Sequence, residues 1–390
     1  MATVFLKPGR EGRVAAGHLW VYGGEVAHVE GSAPDGGIVD VRSARGKWIG
    51  RGFYNRRSAI TVRLLTHRPE PIDEAFFRRR LEDAWAFRQR TRTATNACRV
   101  VYGEGDLLPG LIVDRYGDVL VMQTLALGMD VRQALLADLL AALLRPQAIY
   151  ERNDPAVREL EGLPRRSGWL RGAREPQIEI SDGPARFIVD IAAGQKTGFF
   201  LDQRENRLAA AALLKDLDVL DAFCYTGGFG IVAALGGART VTGVDSSQEA
   251  LALAARNAEL NGVADRCRFV EANVFEELRR LAASGTRYDA VILDPPPFAR
   301  GREALDRALA AYKEINLRAL KLLRPGGWLV TCSCSAQVGP EALSQVVAAA
   351  AVDARREVRL VESRGHPRDH PVHPAMPETR YLTCLILAAR

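Results

Sequence analysis

The stretch Asp221-Ala-Phe-Cys-Tyr-Thr-Gly-Gly-Phe-Gly230 directly follows the mostly apolar residues 217–220. A short apolar run that ends in an acid and then in glycines is typical of a parallel strand that stops abruptly and leaves its backbone open to a ligand. The apolar residues 231–235 fit a helix packed on the sheet. We therefore predict the first strand, turn and helix of a doubly wound α/β domain, in which ligands bind beyond the carboxyl ends of the strands.

A second strand, Thr240-Val-Thr-Gly-Val244, ends in Asp245. Folds of this class place an acid about 20 residues after the first strand, where it binds ribose hydroxyls, so Asp245 is the predicted ribose ligand. Ser246-Ser-Gln-Glu249 has the pattern of a capping box and predicts the start of the next helix. The domain is thus expected to bind a nucleoside-containing cofactor.

The chemistry of the first turn distinguishes two such cofactors. Gly228, Gly230 and Ala233 satisfy the GxGxxA pattern of dinucleotide sites, which is a weak signal in a chain with 35 glycines. A pyrophosphate requires helix N-terminal amides without negative charge nearby, whereas Asp221 suits a cationic ligand. S-adenosylmethionine carries an ammonium and a sulfonium and no phosphate, so we predict it over NAD. The alternative for Asp221 is an ordinary turn residue at the end of a strand.

Length and composition set the wider frame. A chain of 390 residues with 47% apolar side chains has room for two or three domains. The amino-terminal sequence has no signal-peptide core, and we expect a cytoplasmic protein without membrane spans. Six cysteines show no CxxC pair, which indicates reduced thiols and no bound metal. Residues 1–66 hold ten Lys and Arg against five Asp and Glu, so most of the net charge of +6 lies there.

Residues 1–68 are expected to form a small β-barrel, because short β-like runs alternate with Gly and Pro turns. Leu6-Lys-Pro-Gly-Arg-Glu-Gly-Arg13 and Gly17-His-Leu-Trp-Val21 resemble a PUA domain, an RNA-binding β-barrel. Within it, His18 and Trp20 are interpreted as packing residues rather than RNA contacts. The basic charge of this module favours a role in recruiting RNA.

Residues 69–182 are expected to form a central α+β domain that supports RNA binding. The pattern predicts a helix over 69–90, a hairpin of strands 111–114 and 119–123, and a helix capped by Asp130 that ends at Leu144. A second hairpin is predicted across Asp182-Gly183. The following segment, Gly194 to Arg207, interleaves aromatic and charged residues and is interpreted as the wall of a ligand cleft in a third domain, 183–390.

The later strands of that third domain add further groups to the same edge of the sheet. Arg268-Phe-Val-Glu-Ala-Asn273 is the third strand and places Asn273 against an adenine edge. The fourth strand ends in Asp294-Pro-Pro-Pro-Phe298, where prolines fix a rigid loop. A carboxylate and backbone carbonyls held in that loop can accept hydrogen bonds from an exocyclic amine. A helix over about 303–323 is expected to follow.

Two cysteines complete the predicted set of site residues. They lie in the predicted strand Trp328-Leu-Val-Thr-Cys-Ser-Cys-Ser335. Residues two apart on a strand share a face, and this strand should lie beside the one that ends at Asp294. A thiolate that adds to carbon 6 of cytosine makes carbon 5 nucleophilic enough to accept a methyl group, and an acid assists at N3 and the amine. Cys334 and Asp294 fill these roles, with Cys332 as the alternative nucleophile.

The base that would remove the carbon 5 proton is not evident from the sequence. The candidates are His366, His370 and His373, which lie in a Pro-rich segment and for which a surface position is expected.

The chain as a whole resembles the bacterial 23S rRNA cytosine-5 methyltransferases of the RlmI and RlmO kind, through GQKTGFFLDQRENR, DAFCYTGGFG, DPPPF, TCSCS and DHPVHPAMPETRYL. The resemblance implies a PUA domain, a small α+β domain and a Rossmann-like methyltransferase domain. It also implies 23S rRNA as substrate, free or in a large-subunit particle, a homodimer, and Cys334 as the nucleophile. The predicted cofactor site comprises Phe200, Asp202, Arg204, Asp221, Tyr225, Gly227, Asp245, Ser246, Asn273, Asp294 and Pro295.

Three other functions stay open at this point. An enzyme that methylates a guanine or adenine amino group would use the Asp-Pro-Pro-aromatic motif without a thiol. An RNA-binding assembly factor would have no catalytic activity. A nicotinamide oxidoreductase ranks last because it leaves DPPPF and TCSCS without a purpose.

Overall fold

The computed structural model describes residues 1–91, 95–298 and 305–390. The chain forms two compact units that alternate along the sequence. The first unit comprises Met1–Ile180, Val189–Leu201 and Arg368–Thr379, and the second comprises Ser181–Ile188, Asp202–Pro367 and Arg380–Arg390. The predicted boundaries at 68/69 and 182/183 stay a prediction.

The first unit begins with a six-stranded sheet. Its elements are β1 (Thr3–Leu6), α1 (Gly12–Ala15), β2 (Trp20–Tyr22), β3 (Val26–Glu30), β4 (Ile38–Arg42), β5 (Trp48–Tyr54) and β6 (Ile60–Thr66), and the strand order is β2-β6-β5-β4-β1-β3. Valines that alternate along β4 are buried and polar residues between them are not, as expected for a strand with one covered face. His18 is buried, and the indole of Trp20 donates to Glu104 at 2.8 Å, which confirms the expected packing role.

The first unit continues with a five-stranded sheet in the order β11-β10-β9-β8-β7. Its elements are α2 (Glu74–Thr91), β7 (Ala97–Tyr102), β8 (Leu111–Tyr116), β9 (Val119–Thr124), α3 (Leu127–Asp130), α4 (Gln133–Leu144), β10 (Ala148–Asn153) and β11 (Arg166–Arg171). The predicted hairpin is confirmed, and Tyr116 pairs with Val119 so that two residues form its turn. The predicted cap of α4 is wrong: its N-cap is Arg132, because the carboxylate of Asp130 instead binds Arg158 and Arg166.

A two-stranded sheet of β12 (Gln177–Asp182) and β13 (Ala185–Asp190) confirms the second predicted hairpin. Within the second unit, Asp182 at its end accepts hydrogen bonds from Arg204 and from Arg207, and all three side chains are buried. Burial raises the pKa of Asp182, but the guanidinium groups of Arg207 and Arg204 outweigh it and hold that pKa below its usual range. The hairpin is thereby fixed to α5 (Arg204–Ala211).

The rest of the second unit is a seven-stranded sheet in the order β16-β15-β14-β17-β18-β20-β19. Its elements are β14 (Asp218–Ala222), α6 (Gly228–Leu235), β15 (Thr240–Asp245), α7 (Gln248–Leu260), β16 (Cys267–Glu271), α8 (Val274–Ala283), β17 (Tyr288–Leu293), α9 (Leu305–Leu322), β18 (Leu323–Ser333), α10 (Pro340–Ala354), β19 (Val358–Arg364) and β20 (Thr383–Ala389). The predicted start of α9 near Glu303 lies outside the described residues.

The sheet is parallel from β16 to β18, and β20 runs antiparallel to both of its neighbours. Helix α9 contacts both α8 and α10, and α6 contacts both α5 and α7. Because both faces are covered, β14 and β17 are almost wholly buried. The predicted doubly wound domain is confirmed, and β14, β15, β17 and β18 end together at one edge. No helix in the described part of the chain is long and apolar enough to cross a membrane.

Candidate cofactor and active site

The turn after β14 has an unusual backbone. Phe223 and Tyr225 adopt left-handed conformations, with φ of 65° and 49°, and Gly227 follows with φ of 83°. Such angles cost a non-glycine residue about 1–2 kcal/mol, and they persist where the surrounding structure requires them, often at ligand sites. The amide of Gly227 donates to the carbonyl of Cys224 at 2.8 Å and closes the turn, after which α6 begins. The chain therefore turns sharply at the edge where the strands end.

Asp221 is buried below this turn. One of its carboxylate oxygens, Oδ2, accepts the amide of Gly230 at 2.8 Å, and no described residue donates to the other, Oδ1. Burial raises the pKa of Asp221 to about 7, and Asp294 and Asp245 add to the increase, while the Gly230 amide opposes it. A buried carboxylate oxygen without a partner is costly unless a ligand supplies a donor. The site therefore fits a group that carries an ammonium.

Asp245 lies at the end of β15, as predicted, and supports two neighbouring segments. Its Oδ2 accepts the amide of Tyr225 at 2.9 Å, and its Oδ1 accepts the amide of Ser247 at 3.0 Å. The N-cap of α7 is Ser247, whose hydroxyl accepts from Ala250, and not Ser246, so the predicted start is wrong by one residue. Ser246 itself is exposed beside Asp245. The role of Asp245 and Ser246 toward ribose stays a prediction.

Asn273 lies beyond the third strand rather than inside it, because β16 ends at Glu271. Its side-chain oxygen caps α8 by accepting the amides of Phe275 at 3.0 Å and Glu276 at 3.4 Å. The cap uses the acceptor atom, so the exposed amide nitrogen of this side chain is the group that can bind a ligand. Asn273 can thus donate to an adenine ring nitrogen.

Asp294 follows β17 and is half-buried. Its Oδ1 accepts the side-chain amide of Gln203 at 2.8 Å, and Gln203 in turn accepts from Asn206 at 2.7 Å. Sequence reasoning missed Gln203, although it stands between Asp202 and Arg204 in a segment already assigned to the site. This chain of hydrogen bonds fixes the orientation of the Asp294 carboxylate.

The two cysteines of β18 have different surroundings. The strand lies beside β17, with Thr331 opposite Leu293, which confirms the predicted adjacency. Cys334 lies one residue past the end of the strand, half-buried, and its thiol is 3.7 Å from the carbonyl oxygen of Pro295. A thiol, the buried Pro295 and the carboxylate of Asp294 therefore meet at one edge of the sheet.

Cys332, by contrast, is fully buried and pairs in register with Cys384 on β20. The neighbouring Cys384 thiol and burial both raise the pKa of Cys332 well above its ordinary value. The two cysteines therefore differ in exposure, because the first is enclosed within the sheet. Of the two, Cys334 is the accessible thiol.

The remaining predicted cofactor residues come from the segment before β14. In the second unit, Asp202 accepts the hydroxyl of Tyr381 at 2.5 Å, and Arg204 pairs with Asp182, both in buried positions. Phe200 belongs to the first unit, where its ring centroid is 4.4 Å from the Lys196 ammonium. Contacts of these three residues with a cofactor stay a prediction.

The three histidine candidates for a base belong to different units. His366, in the second unit, accepts the amide of Leu382 at 3.2 Å. His370 and His373 belong to the first unit. The expected surface position is wrong for His370, which is 2% exposed because its ring packs on Tyr102 and its Nδ1 lies 2.9 Å from Asp369.

Comparison with known proteins shows the family to which the chain belongs. Residues 163–380 match the family described as S-adenosylmethionine-dependent methyltransferase, and residues 4–67 match the PUA-like domain. The chain belongs to this methyltransferase family. The predicted cofactor, S-adenosylmethionine, and the PUA-like fold are thereby confirmed, and the nicotinamide alternative is set aside.

The relatives cover the chain almost completely. The protein named ribosomal RNA large subunit methyltransferase I from Klebsiella pneumoniae (strain 342) is 41% identical over 382 residues, 97% of this chain and 96% of the relative. Its namesake from Aeromonas hydrophila is 41% identical over 395 residues, all of both chains. This chain is therefore a member of the ribosomal RNA large subunit methyltransferase I family.

Solved structures share the fold along its whole length. A SAM-dependent methyltransferase from Streptococcus mutans superposes with a TM-score of 0.86 at 19% identity, and SMU.776, a methyltransferase complexed with SAH, with 0.87 at 20% identity. Both comparisons cover 100% of both chains.

Among the described residues, no cluster of His, Cys, Asp and Glu could hold a metal ion.

Proposed function

We propose that this methyltransferase forms 5-methylcytidine in 23S ribosomal RNA and acts in the cytoplasm, where that RNA is found. Support for the substrate comes from the relatives, whose name specifies RNA of the large ribosomal subunit, and from the PUA-like domain. The observation that carries the carbon 5 chemistry is the accessible thiol of Cys334, 3.7 Å from the Pro295 carbonyl oxygen and beside Asp294. A homodimer stays a prediction.

The proposed reaction begins at the thiol of Cys334. The Cys334 thiolate adds to carbon 6 of cytosine, which forms a carbon–sulfur bond and converts the ring to an enamine with electron density at carbon 5. S-adenosylmethionine, when bound, supplies an electrophilic methyl group to that carbon. Water then accepts the carbon 5 proton, which restores the double bond as the carbon–sulfur bond breaks and returns the thiolate. S-adenosylhomocysteine would be the other product.

We assign Asp294 the role of the assisting acid. Gln203 fixes its carboxylate through a 2.8 Å hydrogen bond, so that it is oriented before the base binds. Thiolate addition moves negative charge toward N3, and Asp294 in its protonated form would neutralise that charge by donating its proton to N3. Asp221, with its unpaired oxygen, would hold the ammonium of the cofactor.

Product analysis tests this proposal. Ribosomal RNA is incubated with S-adenosylmethionine and the enzyme, digested to nucleosides and analysed by mass spectrometry. We expect 5-methylcytidine from the wild-type enzyme, a loss of at least about 10³-fold in Cys334→Ala, and retained activity in the matched variant Cys332→Ala. A methyl group on a purine amine, still formed by Cys334→Ala, would establish the amine methyltransferase instead. Cofactor binding without any methylated nucleoside would indicate the assembly factor.

A further inference from the structure

A series of side-chain hydrogen bonds connects Asp294 to β19, the edge strand of the seven-stranded sheet. It begins at Arg364, the last residue of that strand, whose Nε donates to Oδ1 of Asn206 at 3.2 Å. Nδ2 of Asn206 donates to Oε1 of Gln203 at 2.7 Å, and Nε2 of Gln203 donates to Oδ1 of Asp294 at 2.8 Å. Two carboxamides thus join a guanidinium to the proposed acid.

Helix α5 places the two carboxamides together. Gln203 is its N-cap, and Asn206 lies three residues further on, so their side chains share one face of the helix. Gln203 and Asn206 are 2% and 1% exposed. The side chain of Gln203 does not cap the helix, which leaves it for Asn206 and Asp294. Because a buried carboxamide is costly without its hydrogen bonds, both side chains are confined to these partners.

Arg364 sets the direction of every hydrogen bond in this series. A guanidinium only donates, so Asn206 must turn its oxygen toward Arg364 and its nitrogen away from it. The two hydrogens of that nitrogen go to Gln203 and to the carbonyl oxygen of Gly365, which lies at 3.2 Å. Gln203 must then present its oxygen to Asn206 and its nitrogen to Asp294. A reversed Gln203 would place its oxygen against the Asp294 carboxyl group instead.

Arg364 is itself held at the end of β19. Its Nη1 donates to the carboxylate of Glu362 at 2.6 Å, and its Nη2 donates to the carbonyl oxygen of Glu205 at 3.5 Å. The side chain of Arg364 is 30% exposed, whereas the two carboxamides that it orients are buried. A partly exposed ion pair contributes little to folding stability. Replacement of Arg364 should therefore disturb the series of hydrogen bonds more than the fold.

We propose that Arg364 is a positioning residue for methyl transfer and acts on Asp294 through Asn206 and Gln203. Because Gln203 donates to Oδ1 of Asp294, the proton of the acid form is confined to Oδ2, the oxygen that would donate to N3 of the base. A reversed Gln203 would accept that proton in a hydrogen bond and withdraw it from the base. The inference rests on the proposed function, in which Asp294 is the assisting acid.

The test measures steady-state transfer of a radiolabelled methyl group from S-adenosylmethionine to in vitro transcribed ribosomal RNA. Arg364→Met removes the donors at similar side-chain length and should lower kcat about tenfold, while the KM values for RNA and cofactor change by no more than about twofold. Arg364→Lys, which still only donates, should recover part of the loss. Arg359→Met, at an exposed arginine of the same strand, is the matched control and should behave like wild type. Thermal melts check that each variant folds.

A double-mutant cycle distinguishes positioning from a merely structural role. Gln203→Leu removes the contact with Asp294, so the addition of Arg364→Met should lower kcat by less than about a further twofold. Losses that multiply in the double variant would overturn the proposal, and so would a wild-type kcat in Arg364→Met. The isosteric Gln203→Glu, which also lacks the donor to Asp294, takes the place of Gln203→Leu in the cycle if that variant does not fold.

The product is identified separately, so failure of the proposed function is distinguishable from failure of this inference. The radiolabel counts methyl transfer to any nucleoside, and mass spectrometry of the digested RNA shows which nucleoside carries it. A methylated purine would refute the formation of 5-methylcytidine, whereas multiplying losses in the cycle, with 5-methylcytidine still formed, would refute only the role of Arg364.

Discussion

At the scale of single residues, the buried carboxyl of Asp221 keeps one oxygen without a protein donor among the described residues, where a ligand could bind. One oxygen is satisfied by the Gly230 amide and the other has no donor in the described part of the chain. The fold therefore loses stability at this position, and we propose that a bound ammonium restores it. The sequence predicts this residue because an acid that ends an apolar strand before glycines is a recognisable pattern.

This balance predicts a pH dependence. Burial raises the pKa of Asp221 from 3.8 to about 7, so the folded protein binds a proton that the unfolded chain has released. The contribution of Asp221 to the free energy of unfolding should therefore be largest below pH 4, fall by a few kcal/mol as the pH rises from about 4 to 7, and then level off. Asp221→Asn should remove most of this slope.

Cofactor affinity should follow the opposite trend. Because an ammonium prefers the ionised carboxylate, S-adenosylmethionine should bind more tightly as the pH rises toward 7, and Asp221→Asn should weaken binding about tenfold or more. Chemical denaturation and titration calorimetry across this range measure both effects, with the surface variant Asp265→Asn as control. Equal pH slopes for wild type and Asp221→Asn would refute this role.

Other residues mark the limit of prediction from sequence. Neighbouring polar residues can often cap the same helix, and only the packed structure shows which of them does. Ser247 caps α7 in place of Ser246, and Asn273 caps α8 instead of ending a strand. Asp130 likewise binds two arginines that are distant in sequence and does not cap α4. Long-range partners of this kind leave no local pattern.

At the scale of elements, the turn between β14 and α6 depends on close contact. A Cβ atom at Gly230 would lie 2.8 Å from Cγ1 of Val241 and 3.0 Å from Oδ2 of Asp221. The glycine thus allows α6 to pack on β15 while its amide binds the carboxylate. This requirement was visible in the sequence as a glycine at the start of an apolar helix, but its two contacts were not.

Gly230→Ala should therefore reduce cofactor affinity by more than its loss of folding stability explains. The added methyl group must displace the Asp221 carboxylate or α6, at a cost of about 1–3 kcal/mol. Gly168→Ala is the matched control, because a Cβ atom there meets nothing within 4 Å. Calorimetric titration with S-adenosylmethionine and a thermal melt of each variant measure the two effects. Wild-type affinity in Gly230→Ala would contradict the close fit.

The hairpin of β12 and β13 depends on one buried acid. Asp182 forms ion pairs with both Arg204 and Arg207, and all three are about 2% exposed. Asp182→Ala would leave two buried guanidinium groups without their carboxylate, which should lower the free energy of unfolding by about 3–5 kcal/mol. Urea denaturation of this variant against Asp138→Ala, whose ion pair is largely exposed, measures the difference. A loss below about 1 kcal/mol would show that water solvates the arginines.

At the scale of the whole molecule, the two units are not consecutive in the sequence. Residues Arg368–Thr379 belong to the first unit, between two segments of the second. There, Arg88 donates to the carbonyl oxygen of Asp369, and Leu19 donates to the sulfur of Met376. The order of strand and helix patterns in the sequence correctly predicted the β-sheet of the N-terminal domain and the mostly parallel sheet of the methyltransferase domain. It could not predict that residues Arg368–Thr379 return to the first unit, because a Pro-rich segment has no periodicity that identifies its partner.

A fragment of residues 1–201 should therefore be incomplete. Without Arg368–Thr379, the fully buried Arg88 and the amide of Arg99 lose hydrogen bonds to Asp369 at 2.9 and 3.1 Å, at a cost of about 1–3 kcal/mol each. A synthetic peptide of residues 366–381 should raise the melting temperature of the fragment. The same peptide with Asp369 replaced by Ala is the control. Equal melting with and without the peptide would contradict this dependence.

Cys334 is the nucleophile of the proposed reaction, and a covalent trap tests this role most directly. RNA containing 5-fluorocytidine lacks the carbon 5 proton whose loss releases the enzyme, so an adduct should accumulate in the presence of S-adenosylmethionine. Mass spectrometry of the digested protein should find the RNA fragment on Cys334. An adduct on Cys332 would contradict the assignment, and the absence of an adduct while ordinary RNA is still methylated would contradict the covalent mechanism.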